Sequence, residues 1–498
     1  MSKKTWYMIL ECFANFKNAV FIGGLPGRWF EPQRGVHQGA PLSMRLYQVY
    51  VNDLLKMLKE CGHGFYLGDI NVSCPAFADD VSTGSIFKSG LNQMLDIAYR
   101  YGIKWKYEYS NEKCVYMVWG KDSSPSTPVK LGGNQLKRVE QCKHMGVELS
   151  ENNSLQKDVY ARRIGVCRKS LLAFRGIGTY NAPVTPSVMS NVYNSVCLTR
   201  MLYGIEVMHT TDVNLSDLEH AHLQHAKIIQ IIPKNIATPT PLATLGWQSI
   251  KALITKAKIL FLIRTLLLPD NNIYRRAALL MFNMYDHFKV NCLSVGICKM
   301  AESYGLWSTI FDLTHSVEFN YVTIKKKIKA SIKEHDSCEW KATCLMYDNL
   351  NLYLECVPTI KLHTWWVVTQ KVPRLYKQVA AIMAIIMGGQ PRSMQKNFDK
   401  KLCQICNSRM ADNSCHVIFD CRALNSVRTK HLERISRTMP IPMIACFQTM
   451  SKVEKQMFLL SPLNSTYIAE WFPIYEAIAV FIYDVYKVRA EMYEVLSE

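Results

Sequence analysis

Phe77-Ala78-Asp79-Asp80 is the stretch of this 498-residue chain that decides its fold. Two short extended runs, residues 69–78 and 81–86, flank the two aspartates, and this pattern predicts a β-hairpin with the pair at a tight turn. Such a turn can aim neighbouring carboxylates in one direction, and carboxylate oxygens are ligands that Mg²⁺ prefers. An Asp-Asp pair without further context is, however, more often ordinary turn chemistry than a metal site.

The surrounding sequence combines strand and helix signals up to about residue 150. A loop over residues 35–40 leads to Pro41, and apolar residues then recur at spacings of three and four up to Cys61, a pattern that predicts a helix. A second helix is predicted from about Ser89 to Arg100, and the remainder beyond residue 150 is helical almost throughout. We therefore predict an α+β protein that is mostly helical.

These motifs resemble, in order and spacing, the palm of reverse transcriptases, in particular those of non-LTR (LINE-type) retrotransposons. The resemblance rests on the Gln38-Gly39 loop, the Pro41 helix start, the Phe77–Asp80 hairpin and the His144-Met145-Gly146-Val147 turn. Two later segments look like parts of that family's thumb: Leu202-Tyr203-Gly204-Ile205-Glu206 and Leu242-Ala243-Thr244-Leu245-Gly246-Trp247.

The resemblance implies a role for each matching residue. Asp79 and Asp80 would be the catalytic acids that coordinate Mg²⁺. Gln38, Gly39 and Phe77 would bind the incoming nucleotide, and Met145 and Gly146 would form the primer grip. An RNA template, a DNA primer and deoxynucleoside triphosphates are the implied partners.

The resemblance also implies a division of the chain into five parts. They are a partial palm with an antiparallel sheet plus helices (1–150), a thumb-like helical region (151–270), a helical connector of unassigned role (271–395), a zinc knuckle (396–435) and a C-terminal helical tail (436–498).

The metal site that these residues would build lacks a carboxylate. The family's first palm motif carries an earlier metal-binding Asp, whereas residues 1–52 contain no Asp, and Glu11 and Glu31 are their only acids. We therefore expect a chain truncated before the first catalytic strand and the fingers. Because two-metal chemistry needs ligands from a separate strand, such a chain is expected to be inactive alone. The alternative is a non-catalytic nucleic-acid-binding protein derived from a retroelement.

Cys403, Cys406, His416 and Cys421 form a second candidate metal site. Three thiolates and one imidazole suit tetrahedral Zn²⁺, and a closed four-ligand shell would be structural. Free cysteines in a helical domain are the alternative, and Cys415 is a competing ligand. Family members carry a similar element that contacts nucleic acid. Basic residues near the cluster agree with that role, although a solvated charged face would show the same pattern. They are Lys400, Lys401, Arg409, Arg422, Arg428 and Lys430.

Composition favours an intracellular protein with a polyanionic partner. Lys plus Arg number 59 against 40 for Asp plus Glu, a net charge of +19, and neutralising phosphates releases counterions. Most of the 17 cysteines stand singly, which fits reduced thiols, and neither a secretory signal nor a membrane-spanning run is visible. We expect a cytoplasmic or nuclear protein, not secreted and without a membrane partner. The sequence does not indicate an oligomeric state.

Two further groups are better explained as core or surface residues than as site residues. His222 and His225 could share a helix face but lack an acid cluster for a metal. Trp365-Trp366 could stack on bases, but a buried helical pair is the simpler interpretation.

Overall fold

A computed structural model describes most of the chain, and its described residues form two compact units, residues 1–140 and 141–498. The described residues are 2–14, 17–32, 35–36, 39–122, 125–151, 156–177, 184–288, 292–314, 320–389, 402–406, 408, 410–461 and 471–497. Helices predominate in them and the strands are short, so the expected mostly helical α+β class is confirmed.

The described part of the first unit contains helices α1 (Lys3–Phe13), α2 (Pro41–Glu60) and α3 (Lys88–Trp105). Its strands are β1 (Phe21–Ile22), β2 (Leu25–Pro26), β3 (Tyr66–Leu67), β4 (Ile70–Asn71), β5 (Ala76–Phe77), β6 (Asp80–Val81), β7 (Val115–Tyr116), β8 (Lys130–Leu131), β9 (Asn134–Gln135) and β10 (Lys137–Arg138).

These strands form separate pairs instead of the single antiparallel sheet expected for the palm. Among the described residues, β1–β2, β3–β4, β5–β6 and β8–β9 are antiparallel hairpins, whereas β7 and β10 pair in parallel. Turn residues such as Gly23-Gly24 and Gly132-Gly133 close each hairpin after two residues, so each strand offers few backbone groups to a second neighbour.

The helix predicted after Pro41 forms α2, and its apolar stripe packs against α3. Leu54 and Leu58 of α2 are buried in one cluster with Met94 and Ala98 of α3, which excludes water from both faces. Cys74, which precedes β5, joins the same cluster, and its thiol donates to the Leu55 carbonyl at 3.6 Å. The two helices therefore support the base of the β5–β6 hairpin.

The described part of the second unit contains the hairpin of β11 (Gln141–His144) and β12 (Val147–Ser150), followed by helices. The helices are α4 (Gln156–Ile177), α5 (Pro186–Val192), α6 (Leu198–Leu202), α7 (Asp212–Gln230), α8 (Thr240–Thr244), α9 (Ile250–Leu266), α10 (Ile273–Phe288), α11 (Leu293–Glu302), α12 (Trp307–Thr314), α13 (Tyr321–Leu345), α14 (Asn351–Cys356), α15 (Thr364–Lys371), α16 (Tyr376–Ile386), α17 (Asn425–Thr438), α18 (Ile441–Thr449), α19 (Lys452–Leu460) and α20 (Phe472–Ser497). π-Helical turns cover Tyr193–Cys197 and His416–Asp420. None of the described helices is both long and apolar enough to span a lipid bilayer.

Trp365 and Trp366 are fully buried in the main core of this unit, which confirms their interpretation as core residues. The Trp366 indole donates to Oε1 of Gln230 at 3.0 Å, and the Trp365 indole donates to the Leu460 carbonyl at 2.8 Å. Each indole N–H is thereby satisfied, and the pair is not available to stack on bases.

His222 and His225 are buried in the core, one of the two structural outcomes expected for them. The hydroxyl of Tyr193 lies 2.9 Å from Nδ1 of His222, whose Nε2 lies 3.2 Å from the carbonyl of Gln248. A carbonyl only accepts, so Nε2 carries the proton and Tyr193 donates to Nδ1. Burial lowers the pKa of His222 to about 3 and that of His225 to about 4. Trp247 stacks on the His222 ring with centroids 4.9 Å apart.

The low pKa of His222 makes the stability of this unit depend on pH. An unfolded histidine titrates near pH 6.5, so the unfolded state takes up a proton first as the pH falls, and folding is weakened. Between about pH 7 and about pH 5 this linkage removes about 2 kcal/mol from the free energy of unfolding. His222→Gln should reduce the acid-induced loss by that amount in urea unfolding followed by circular dichroism. His220→Gln, an exposed position on the same helix, is the control; equal acid sensitivity of both variants would contradict the assignment.

Candidate functional site

Asp79 and Asp80 lie on a β-hairpin, as predicted. Phe77 pairs with Asp80 across the two strands, so Ala78 and Asp79 form the tip. Ala78 has a φ of 52°, a left-handed conformation that non-glycine residues seldom adopt. The tight turn therefore places Asp79 at the tip and Asp80 at the first position of β6.

Backbone bonds extend this hairpin beyond its two assigned residue pairs. The Ser82 N–H donates to the Pro75 carbonyl at 2.9 Å, and the Gly84 N–H donates to the Ser73 carbonyl at 2.7 Å. The hairpin therefore extends over residues 73–84, whereas residues 69–72 of the predicted first run belong to the β3–β4 hairpin. These backbone bonds give the turn a fixed base.

The side chains of Asp79 and Asp80 are both exposed, and Phe77 beside them is 57% exposed. Among the described residues, no third Asp, Glu, His or Cys joins the two aspartates in a set of atoms close enough to hold one ion. Two carboxylates fit Mg²⁺ as hard oxygen donors, and Mg²⁺ usually keeps water and substrate phosphate as its other ligands. The pair thus offers two oxygen donors for such an ion.

Tyr47 is a neighbour of this hairpin that the sequence analysis missed. Its pKa is raised, first by burial and then by the negative charge of Asp79, so the phenol stays protonated beside the carboxylate. Tyr47 lies one turn before Tyr50 on α2, with ring centroids 6.3 Å apart. The spacing of Tyr47 and Tyr50, three residues apart on one helix face, was the feature of the sequence that could have indicated this position.

The residues predicted to bind a nucleotide are only partly described. Gly39 has a φ of 86° at the end of the loop that enters α2, a conformation readily available to glycine. Because α2 also carries Tyr47, this helix connects the loop to the aspartate hairpin. Gln38 lies outside the described residues.

Met145 and Gly146, the predicted primer grip, form the tip of the β11–β12 hairpin in the second unit. Their φ values are 50° and 80°. The Tyr203 hydroxyl donates to the Met145 carbonyl at 3.1 Å, and a Cβ added at Gly146 would lie 2.7 Å from the Tyr203 ring. Gly204 likewise approaches Val147, since its added Cβ would lie 2.6 Å from that side chain. The sequence pattern had not revealed that this segment covers the hairpin.

Cys403, Cys406, His416 and Cys421 come together as predicted from their spacing. Their ligand atoms all lie within 4.8 Å of one another. In a tetrahedral zinc site the ligand atoms stand about 3.5–3.8 Å apart, so a small contraction would complete such a shell. Among the described residues, this is the group of three or more Cys, His, Asp or Glu with the geometry to hold a metal.

A π-helical turn, His416–Asp420, explains why His416 and Cys421 lie on the same side of the Cys/His cluster. The Cys421 N–H donates to the His416 carbonyl at 2.8 Å, an i→i+5 bond that stacks residue i+5 over residue i. Regular α-helix would instead turn residue i+5 by about 140° away.

The thiols of this cluster differ in acidity. Burial acts to raise the pKa of Cys406, but hydrogen bonds from Ser408, Cys403 and His416 outweigh it and lower the pKa to about 6. Burial and the charges of neighbouring thiols raise the pKa of Cys421 to about 12. Cys406 therefore forms a thiolate most readily, and a bound cation would favour deprotonation of the others.

Helices of the second unit hold this cluster from several sides. Arg428 is buried, and its guanidinium donates to the carbonyls of Ile418 (2.8 Å) and Cys421 (2.7 Å). Arg489 of α20 pairs with Asp412. Arg428, one of the bases considered as a nucleic-acid contact, therefore supports the π turn instead, while Lys400, Lys401 and Arg409 lie outside the described residues.

Comparison with known proteins identifies the amino-terminal part of the chain. Residues 2–149 match the family described as reverse transcriptase (RNA-dependent DNA polymerase). This region of the chain is therefore similar to reverse transcriptases. The match includes the aspartate hairpin, the Gly39 loop and the Met145-Gly146 hairpin.

A curated relative indicates the type of reverse transcriptase. Over 87 residues the chain is 33% identical to the retrovirus-related Pol polyprotein from type-1 retrotransposable element R2 of Nasonia vitripennis. This stretch is 18% of the present chain and 8% of the polyprotein. The expected relationship to non-LTR reverse transcriptases is thereby confirmed.

The close contact between Gly146 and Tyr203 predicts a stability difference between two glycine variants of this protein. Gly305 also has a positive φ, 65°, but nothing lies within 4 Å of an added Cβ. Gly305→Ala should therefore cost only the backbone term of about 1–2 kcal/mol. Gly146→Ala should cost about 1 kcal/mol or more beyond that, because the methyl group meets the Tyr203 ring.

Chemical denaturation of both variants measures the difference. Adding Tyr203→Ala to Gly146→Ala should recover the excess cost, since it removes the ring that the methyl group meets. Equal destabilisation by Gly146→Ala and Gly305→Ala would show that the contact with Tyr203 contributes nothing.

Proposed function

We propose that this chain contributes the catalytic hairpin of an RNA-directed DNA polymerase from a non-LTR retrotransposon. One observation carries the proposal: an exposed Asp79-Asp80 pair on a tight hairpin lies inside the region that matches reverse transcriptases. RNA as template, DNA as primer and deoxynucleoside triphosphates as substrates follow from that assignment.

In the proposed reaction, the primer 3′-hydroxyl attacks the α-phosphate of the nucleotide and pyrophosphate leaves. Mg²⁺, when bound, would neutralise charge that develops on the transferred phosphoryl group. Asp79 at the tip and Asp80 on β6 would hold it, with directions fixed by the paired strands. The exposed Phe77 ring would support the sugar, and Gln38 and Gly39 would line the nucleotide pocket.

The Met145-Gly146 hairpin would hold the primer end. Its tip is fixed by the Tyr203 hydroxyl and by the close approach of the Tyr203 ring to Gly146. A rigid tip suits this role because misplacing a reacting group by a fraction of a hydrogen-bond length slows a bimolecular reaction strongly.

Among the described residues, no third carboxylate joins the proposed site. Glu31 forms an exposed ion pair with Lys17 at 3.6 Å, and Glu11 is exposed on α1. Loss of one carboxylate ligand from a two-metal site weakens transition-state stabilisation by several kcal/mol, and about 1.4 kcal/mol is a factor of ten in rate. We therefore expect the chain alone to polymerise poorly while still binding a divalent ion weakly.

Asp79→Ala/Asp80→Ala tests both parts of this proposal. Mn²⁺ binding to the full chain, followed by electron paramagnetic resonance, should be lost in the double variant, because both oxygen donors are removed. Glu60→Gln, an exposed acid on α2, should leave it unchanged. Primer extension on an RNA template should be as low for the wild-type chain as for the double variant.

The two readouts have separate meanings. Mn²⁺ binding that survives loss of both aspartates would overturn the metal assignment. Primer extension that requires Asp79 would contradict the expected inactivity, because the chain would then complete the site by itself.

Nucleic-acid binding without catalysis is a second candidate function. The net charge of +19 favours it, because counterion release attracts a basic protein to any nucleic acid. The same wild-type chain would then bind RNA in a salt-dependent manner, yet show no dependence on Asp79 in any reaction. An intracellular location suits either function, and most of the 17 cysteines stand singly in the sequence, which fits reduced thiols.

We also propose that Cys403, Cys406, His416 and Cys421 hold a structural Zn²⁺. Nε2 of His416 lies 3.4 Å from Sγ of Cys406, and Nδ1 of His416 is buried without a hydrogen-bond partner in the described residues. The two most buried thiols, Cys403 and Cys421, belong to the main hydrophobic core. Zinc would therefore stabilise this core in addition to the small segment around it.

Cys421→Ser should remove zinc and destabilise the full chain. Zinc content should fall from about one ion per chain, because the tetrahedral set loses a thiolate. The melting temperature should fall by more than about 5 °C. Cys446→Ser, at an exposed cysteine on α18, is the control and should change neither quantity. Wild-type protein that carries no zinc and whose melting temperature is insensitive to a chelator would refute the site.

A further inference from the structure

Helix α13 carries a row of lysines that the sites described above do not use. Lys326, Lys329 and Lys333 are all exposed. Because an α-helix advances about 100° per residue, their spacings of three and four place them within a strip about 60° wide. These three residues are called the lysine row below.

The opposite side of α13 is anchored in a hydrophobic core. Ile324, Ile328 and Ile332 are buried there together with Ile259 and Leu262 of α9. Burial of three isoleucines fixes the rotation of the helix about its axis. The lysine row therefore has a defined direction toward solvent.

No carboxylate among the described residues neutralises the lysine row through an ion pair. Asp336 of α13 is buried and accepts a hydrogen bond from Ser249 at 2.6 Å, while Glu339 pairs with Lys251 at 2.9 Å. Both acids are thus engaged elsewhere. Glu334 is the remaining acid of α13, and its side chain is exposed. It points about 100° around the helix axis from Lys333 and therefore lies outside the strip.

A further lysine adds positive charge at the same place. Lys256 of α9 has a lowered pKa, caused first by burial and then by the positive charge of Lys329, and its ammonium donates to Gln248 Oε1 at 3.1 Å. The negative charge of Asp336 acts on Lys256 in the opposite direction to Lys329. Like charges repel each other, and an anion bound at the lysine row would relieve that repulsion.

We propose that the lysine row binds the sugar–phosphate backbone of a nucleic acid. The inference rests on the proposed function, since a polymerase must also bind its template and product at sites other than the catalytic hairpin. Successive lysines of the row are about 4.5 and 6 Å apart along the helix axis. A straight row of point charges suits a regularly charged backbone, and contact with phosphates requires no particular base sequence. The row thereby gives a role to the part of the chain between the thumb-like region and the Cys/His cluster.

Lys326→Gln/Lys329→Gln/Lys333→Gln in the full chain tests the proposal. The matched control is Lys341→Gln/Lys371→Gln/Lys377→Gln, which removes the same charge from exposed positions on three different helices. The probes are a labelled RNA–DNA duplex and a labelled single-stranded RNA, each of about 30 nucleotides, titrated from about 50 to about 200 mM salt. Replacing the row by arginines keeps the charge and should preserve binding.

We expect the row variant to bind at least about tenfold more weakly than the control, with a salt slope smaller by about three. Weaker binding of the duplex alone would assign the row to the product helix, and weaker binding of the RNA alone would assign it to the template. Either result supports the proposal. Circular dichroism spectra should match for all variants, since the substituted side chains are exposed.

Equal affinities and salt slopes of the row variant and the control would overturn the proposal. The same holds if the row variant binds both nucleic acids normally but loses binding to poly-glutamate, because the row would then serve an acidic protein. Failure of the wild-type chain to bind either nucleic acid would instead refute the proposed function.

Discussion

The position of the aspartate hairpin depends on the packing of α2 against α3. Leu54 and Leu58 meet Met94 and Ala98 in a buried cluster, and this contact sets the surface on which Cys74 and the start of β5 rest. The hairpin itself has only short strands, and a two-stranded hairpin is marginal in water unless it packs against something else. The hydrophobic contact therefore gives the small hairpin a fixed base.

Patterns that act locally could be predicted from the sequence. The apolar spacing after Pro41 gave α2, and the extended runs around Asp79 and Asp80 gave the hairpin, because both depend on interactions between near neighbours in the chain. The spacing of Cys403 and Cys406 predicted a cluster with His416 and Cys421, and these atoms do converge. The contacts among Tyr193, His222 and Trp247 could not be predicted in this way, since these rings come together from three separate segments.

Features that depend on distant segments could not be predicted. Tyr47 lies beside Asp79 because of how the hairpin rests on α2, and Tyr203 covers Gly146 because α6 ends next to the β11–β12 hairpin. The sequence suggests that Arg428 is a basic surface residue, but its side chain is buried and donates to two backbone carbonyls. A single palm sheet was expected by resemblance, but two-residue strands closed by their own turns pair locally. In each case the deciding contact joins residues far apart in sequence.

The π-helical turn at His416–Asp420 fixes the number of residues that can separate His416 from Cys421. Cys421 stands five residues after His416, and only a widened turn brings such a pair to one side of a helix. Insertion of one codon between them would rotate the imidazole about 100° relative to the thiol and disperse the cluster. The same insertion in a surface loop costs little, because closure entropy changes slowly with loop length. Variation in length is therefore expected to be tolerated in the loops of this protein and excluded from this one turn.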